Sequence, residues 1–162
     1  MTTNEVDINS VMKDMNKIKR ADLNELKSLA YPPSGVIKVM QAVCLLLGNG
    51  KCSSWTDSQK HLSNPDSFLQ KLKNLDKDNI RPGVMTKIRK NYTSDPEFTV
   101  ERMMKISRAA EALCKWIIAI DQYDKHLKNA SQTQKKTTEK TNKSEKFSRY
   151  SVSTFEHIWK YL

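Results

Sequence analysis

Residues 106–127, ISRAAEALCKWIIAIDQYDKHL, decide the fold. Apolar side chains recur at alternating spacings of four and three: Ile106, Ala110, Leu113, Ile117 and Ile120, then Asp124 in the sixth slot and Leu127. That spacing predicts a helix carrying a coiled-coil seam. The next slots, Ser131, Gln134, Thr138 and Thr141, are all polar, so the seam is expected to end at Leu127. The helix that bears it is expected to start near Val100, behind Ser94-Asp95-Pro96-Glu97, a capping-box spacing with a helix-compatible proline; Thr99 is an equally good N-cap.

Upstream, every strong pattern is helical. Residues 5–20 place Ile8, Val11, Met15 and Ile18 on one side of a polar helix, able to face a single partner helix. Leu23, Leu26 and Leu29 mark a second short helix, stopped by Tyr31-Pro32-Pro33-Ser34-Gly35, because proline lacks an amide donor and disfavours helix in the residue before it. Val36 to Leu47 has a wide apolar face and is expected to be the central core helix, ended by Gly48-Asn49-Gly50. Trp55–Leu62, a segment opened by Asn64-Pro65-Asp66 with Phe68, Leu69, Leu72 and Leu75, and Pro82–Tyr92 complete the set. With four glycines, five prolines and no period-two runs, the fold class is all-α.

The net charge of +10 is unevenly spread. Residues 125–149 hold eight basic side chains against Glu139 and Glu145, a net +6, and residues 150–162 are balanced, which leaves +4 for residues 1–124. A mildly basic globule suits a partner with an acidic surface and disfavours a long nucleic-acid footprint. Beyond Leu127 the composition turns to Lys, Thr, Ser, Gln, Asn and Glu; residues 129–144 are expected to be disordered, and 147–162 to form a terminal amphipathic helix. The longest apolar run, Ala42 to Leu47, is too short for a bilayer, so no membrane partner is expected.

Catalytic chemistry is hard to find. Gly48-Asn49-Gly50-Lys51-Cys52-Ser53 lacks the first glycine of a phosphate loop, has Cys52 where Ser or Thr should follow the lysine, and reads as a helix cap and loop. Cys44, Cys52 and Cys114 are odd in number and lack CxxC spacing, which predicts reduced thiols and neither a disulfide framework nor a zinc site. His61, His126 and His157 stand apart as surface or helix-end residues, so no metal and no cofactor are expected. Trp55 and Trp116 sit at core spacing. The expectation is a binding module and not an enzyme.

Taken in order, Ala21-Asp22-Leu23-Asn24-Glu25-Leu26-Lys27, the Pro32-Pro33 break, Val39–Gly48, Trp55, Phe68-Leu69, Asp76-Lys77-Asp78-Asn79-Ile80, Pro96-Glu97-Phe98 and Ser107–Trp116 resemble the dynein heavy-chain microtubule-binding domain, over roughly residues 10–128. The Asp76–Ile80 connector is similar to axonemal heavy chains. The resemblance implies a six-helix globule at the tip of a short antiparallel coiled-coil stalk. Residues 1–18 are then the end of the outgoing strand, 19–128 the globule running into the returning strand, and 129–162 a basic tail. A truncated stalk is expected, since the seam stops at Leu127.

The resemblance also implies a function: binding to tubulin, as part of a minus-end-directed motor of the cytoskeleton, in the cytoplasm or the axoneme of a cilium, with the rest of a heavy chain as the second partner. Lys19 and Arg20 occupy the family's basic pair ahead of the first globule helix, and Lys27 lies on that helix. Glu101 and Lys105 match its acidic and basic positions near the last helix, and Arg108 follows one turn on. By resemblance Glu101 tempers affinity by holding a first-helix base such as Arg20, while Lys105 faces tubulin. The family's base ahead of the Phe68 segment meets Asn64-Pro65-Asp66-Ser67, a departure that leaves Lys60 or His61 for that contact. A second reading is a basic helical nucleic-acid-binding or adaptor domain whose lysine-rich tail supplies the affinity.

Overall fold

In the computed structural model, residues 7–48 and 52–159 are described, the side chains of 134–159 excepted. The chain divides into two compact units, Met1–Asp124 and Lys125–Leu162. Helices follow in the order α1 Ile8–Met15, α2 Arg20–Ser28, α3 Ser34–Leu46, α4 Trp55–Leu62, α5 Pro65–Lys73, α6 Pro82–Ile88, a π-helical turn Arg89–Thr93, α7 Val100–Met104 and α8 Arg108–Trp159. No strand occurs among the described residues.

Short polar side chains set most of the helix starts by accepting from the otherwise orphaned first-turn amides. Asp7 accepts from the Asn9 amide at 3.0 Å, Ser54 from Asp57 at 3.2 Å and Asn64 from Ser67 at 3.2 Å. Of the two caps the sequence offers before α7, Thr99 is the one used, accepting from the Arg102 amide at 3.4 Å. Gly48 closes α3 in the left-handed region at φ 72°, where a side chain would strain the backbone.

The core of the first unit gathers around α3 and the opening turns of α8. Val36, Val39, Met40, Ala42 and Val43 are buried, and so are all the seam positions from Ala110 to Asp124. Burial on α8 is wider than a seam, however, since Ala109, Cys114, Trp116, Ala119 and Asp121 are buried too. This stretch is a central helix packed on several sides. Each of its large side chains, Trp116 foremost, contributes about 2–3 kcal/mol by leaving water. The expected partner of the seam is there: Ile8 and Met12 of α1 line one cavity with Trp116 and Ile120. Asp14, whose carboxyl is held below the usual range chiefly by Lys17, also feels Lys115, the order expected of antiparallel helices.

Four expectations are corrected. The helix expected over 5–20 ends at Met15, and α2 restarts at Arg20 with the Lys19 amide donating to Asp22 at 2.8 Å. The helix expected from Val100 is broken: α7 stops at Met104, and Ser107 opens α8 by accepting from the Ala109 and Ala110 amides at 3.2 and 3.5 Å. A single hydroxyl thus interrupts a pattern whose apolar periodicity runs on unbroken. The segment expected to be disordered, 129–144, is helical instead, and α8 continues to Trp159 without a separate terminal helix. From Glu97 onward the sequence has no glycine or proline to stop it. Finally, Cys44 and Cys52 form a disulfide, with Cα atoms 6.2 Å apart, where free thiols are expected from spacing alone. Sequence spacing missed it because two cysteines eight residues apart, one inside α3 and one after it, match no local cysteine motif.

Candidate functional site

Two groups of the expected residues come together on the first unit. α2 is amphipathic in the simplest way: Leu23 and Leu26 are fully buried, while Lys19 and Arg20 are exposed and Lys27 is half-buried. Two side chains from α4 fasten its far end. Trp55 donates its indole N–H to the Leu29 carbonyl and Gln59 its amide to the Lys27 carbonyl, each at 2.8 Å. Lys60, the residue after Gln59, is exposed and reaches Asp57 at 3.4 Å, an i,i+3 pair of small worth. Lys19, Arg20, Lys27 and Lys60 are therefore carried by one pair of packed helices.

Arg20 does not pair with Glu101. Its Nε donates to Asp66 Oδ1 at 2.8 Å and its Nη2 to Asp66 Oδ2, a bidentate fork across to the first turn of α5. Asp66 belongs to Asn64-Pro65-Asp66-Ser67, the segment that opens α5. Both side chains are more than half exposed, and a competing acidic surface can replace Asp66 at little cost.

The second group lies at the α7–α8 junction. Glu101, Lys105 and Arg108 are all exposed. Lys105 is the residue that ends α7, so Glu101 and Lys105, four apart in sequence, do not share a continuing helix, and no ion pair joins them. Glu101 is felt inward: the Cys114 thiol is pushed up to about 12, mainly by burial and then by that carboxylate, which leaves it an inert core group. Lys19, Lys27, Lys105 and Arg108 have no ion-pair partner among the described residues. Among the described residues, no ion pair or hydrogen bond links the two groups to each other.

Sequence reasoning missed two members of this surface. Tyr31 is 96% exposed in the α2–α3 loop and Met104 59% exposed at the end of α7, the large apolar side chains left open to water among the described residues. The Pro32-Pro33 break was the available signal for Tyr31, because a residue lodged before proline is held extended and away from the helix. Nothing marked Met104 until the α7–α8 break was known.

An ion cluster anchors α8 well past the junction, at Asp121 and Asp124. Arg89, in the π-helical turn, donates Nε to Asp121 at 2.6 Å and Nη2 to Asp124 at 2.5 Å. Burial works against its charge, and the hydrogen bonds it donates to both carboxylates outweigh that, so the guanidinium is held more firmly protonated than usual. This explains the polar residue in the sixth seam slot: Asp124 is an anchor and not an interruption. Lys38 pairs with Asp95 and ties α3 to the loop before α7.

The histidine reading is also corrected in one place. His126 is exposed as expected, but His61 lies with the two paired cysteines, the ligand atoms of Cys44, Cys52 and His61 all falling within 4.8 Å of one another. No helix among the described residues is long and apolar enough to cross a membrane.

A family model described as the microtubule-binding stalk of dynein motor matches residues 2–156, and so takes in most of the segment beyond the seam. Human dynein axonemal heavy chain 6 is 37% identical over 109 residues, 67% of this chain and 2% of that protein. The ciliary dynein beta chain of Tripneustes gratilla is 41% identical over 110 residues, 65% of this chain and 2% of that protein. A solved structure titled Microtubule Binding Domain of DYNEIN-C superposes with a TM-score of 0.64 at 35% identity, covering 75% of this chain and 84% of that one. The chain spans about 2% of the length of these curated relatives.

Proposed function

Because the chain belongs to the microtubule-binding stalk family of dynein motors, we propose that it docks on the acidic surface of tubulin through Lys19, Arg20, Lys27 and Lys60 on one side and Lys105 and Arg108 on the other. The observation that carries this reading is that these cations are displayed by well-anchored backbone while four of them have no ion-pair partner among the described residues. A lysine already satisfied within the fold has little to offer a partner; these are available. Tyr31, in the loop after α2, and Met104, next to Lys105 in sequence, offer exposed apolar area to the same partner.

In this reading Asp66 holds Arg20 until tubulin takes it, and Glu101 opposes the approach of an acidic surface and so tempers affinity. The module is non-catalytic and acts as the track-binding part of an axonemal-type heavy chain, in a minus-end-directed motor of a cilium or flagellum. The nucleic-acid or adaptor reading finds no support in the relatives.

Co-sedimentation of the full chain with microtubules tests the proposal. Binding should fall steeply as salt is raised, Lys105→Glu should weaken it and Glu101→Lys should strengthen it. If neither substitution moves the bound fraction at low salt, the surface is wrongly assigned.

A further inference from the structure

We propose that Cys44, Cys52 and His61 form a zinc site when both thiols are reduced, in competition with the disulfide between the same cysteines. Nothing in the tubulin-binding reading uses these three residues. Cys44 lies in the last turns of α3, Cys52 just before α4, and His61 in the last turn of α4. Two of the three ligands thus stand on regular helices that pack against each other, which restricts how far each has to move.

The geometry is close to what the ion needs. In a tetrahedral zinc site with bonds of about 2.0–2.3 Å, ligand atoms lie roughly 3.3–3.8 Å apart. Here the three ligand atoms already fall within 4.8 Å of one another. Opening the disulfide lets the two sulfurs separate to that spacing. Three protein ligands leave the fourth position to water.

The donor set selects the metal. Two thiolates and an imidazole favour zinc over magnesium or calcium, which take oxygen ligands. Charge favours it as well, because Cys44 and Cys52 are buried, at 1% and 5% exposure, and two thiolates neutralise a divalent cation. A buried centre without net charge avoids most of the desolvation cost that a lone ion would incur. Entry is available, since Cys52 and Ser53 line a surface cavity of about 340 Å³ that also touches Gln41 and Tyr92.

The chemistry balances in two steps. A dithiol reductant delivers two electrons and two protons to the disulfide and is itself oxidised to a cyclic disulfide. Zinc then binds the two thiols with release of both protons, so its affinity rises with pH.

The test uses the full chain, reduced with dithiothreitol, freed of reductant and metal without air, and titrated with cobalt(II) as a visible stand-in for zinc. One cobalt per chain should bind with the absorption of a tetrahedral thiolate complex, and zinc should displace it. Cys52→Ser should abolish the signal, His61→Asn should weaken binding about tenfold or more, and Cys114→Ser should leave it unchanged. Zinc should also protect Cys44 and Cys52 of the unsubstituted chain from alkylation, a readout that does not depend on any variant folding. The oxidised chain should bind no cobalt. Absence of a stoichiometric thiolate band in the reduced chain, equal affinity in the His61→Asn protein, or alkylation indifferent to zinc would overturn the site.

Discussion

The first seventeen residues of α8, Arg108 to Asp124, and its last thirty-five, Lys125 to Trp159, form one helix for two different reasons. The first stretch buries Ala109, Ala110, Leu113, Cys114, Trp116, Ile117, Ala119 and Ile120, and is fixed by tertiary packing and the Arg89 cluster. The second has almost no apolar residue before Phe147 and no glycine or proline at all. Its helicity follows from chain propensity and the lack of any breaker. The contrast teaches that high net charge and functional charge are separate things. Residues 125–149 hold +6 of the chain's formal +10, yet the cations proposed to meet tubulin belong to the less basic first unit.

The comparison breaks first in the core. Leu113→Ala removes a fully buried side chain and should cost about 4 kcal/mol in urea unfolding; a cost near zero would mean that α8 is not packed as described. Arg89→Ala removes the guanidinium that bridges Asp121 and Asp124. It should cost about 2–3 kcal/mol, less than a fully buried pair because Arg89 keeps some contact with water.

A smaller effect is expected at Asp95. Its carboxyl is held below the ordinary 3.8 by Lys38 first and then by the Glu97 amide. A depressed carboxylate stabilises the fold above its unfolded value, and that contribution is lost as pH falls through the lower folded value. Asp95→Asn should therefore be less stable than the unsubstituted chain at neutral pH, and the gap should close below pH 3.8, measured by urea unfolding at each pH. A gap that persists in acid would assign it to packing. The smallest effect belongs to the second stretch of α8. Ending the chain after Lys128 should change the unfolding free energy of the first unit by no more than about 0.5 kcal/mol, because residues 129–146 hold a single apolar side chain, Ala130.

Much of the globule was legible in the sequence because its helices are amphipathic and punctuated. Trp55–Leu62 was read with both bounds as found, and Gly48 ended α3 as expected. What failed turned on single groups. The Ser107 hydroxyl broke a helix that apolar spacing carried straight through, and Asp124 looked like a flaw in the seam until Arg89 was seen beside it. The pairing of Arg20 with Asp66 and the nearness of His61 to Cys44 are distant in sequence and have no local signature. The polar stretch after Leu127 misled in the opposite sense, since weak apolar content was read as disorder in a segment that contains good helix formers. The candidate cations were found by resemblance. Their exposure and partners came only with the fold.

The most direct measurement compares two charge reversals of equal size by microtubule co-sedimentation of the full chain. Arg20→Glu with Lys105→Glu alters the first unit, and Lys135→Glu with Lys136→Glu alters the second stretch of α8. If the first unit carries recognition, the former pair lowers affinity by about tenfold or more and the latter by less than about twofold. Equal losses, or the larger loss from Lys135 and Lys136, would show that binding follows bulk charge and contradict the account.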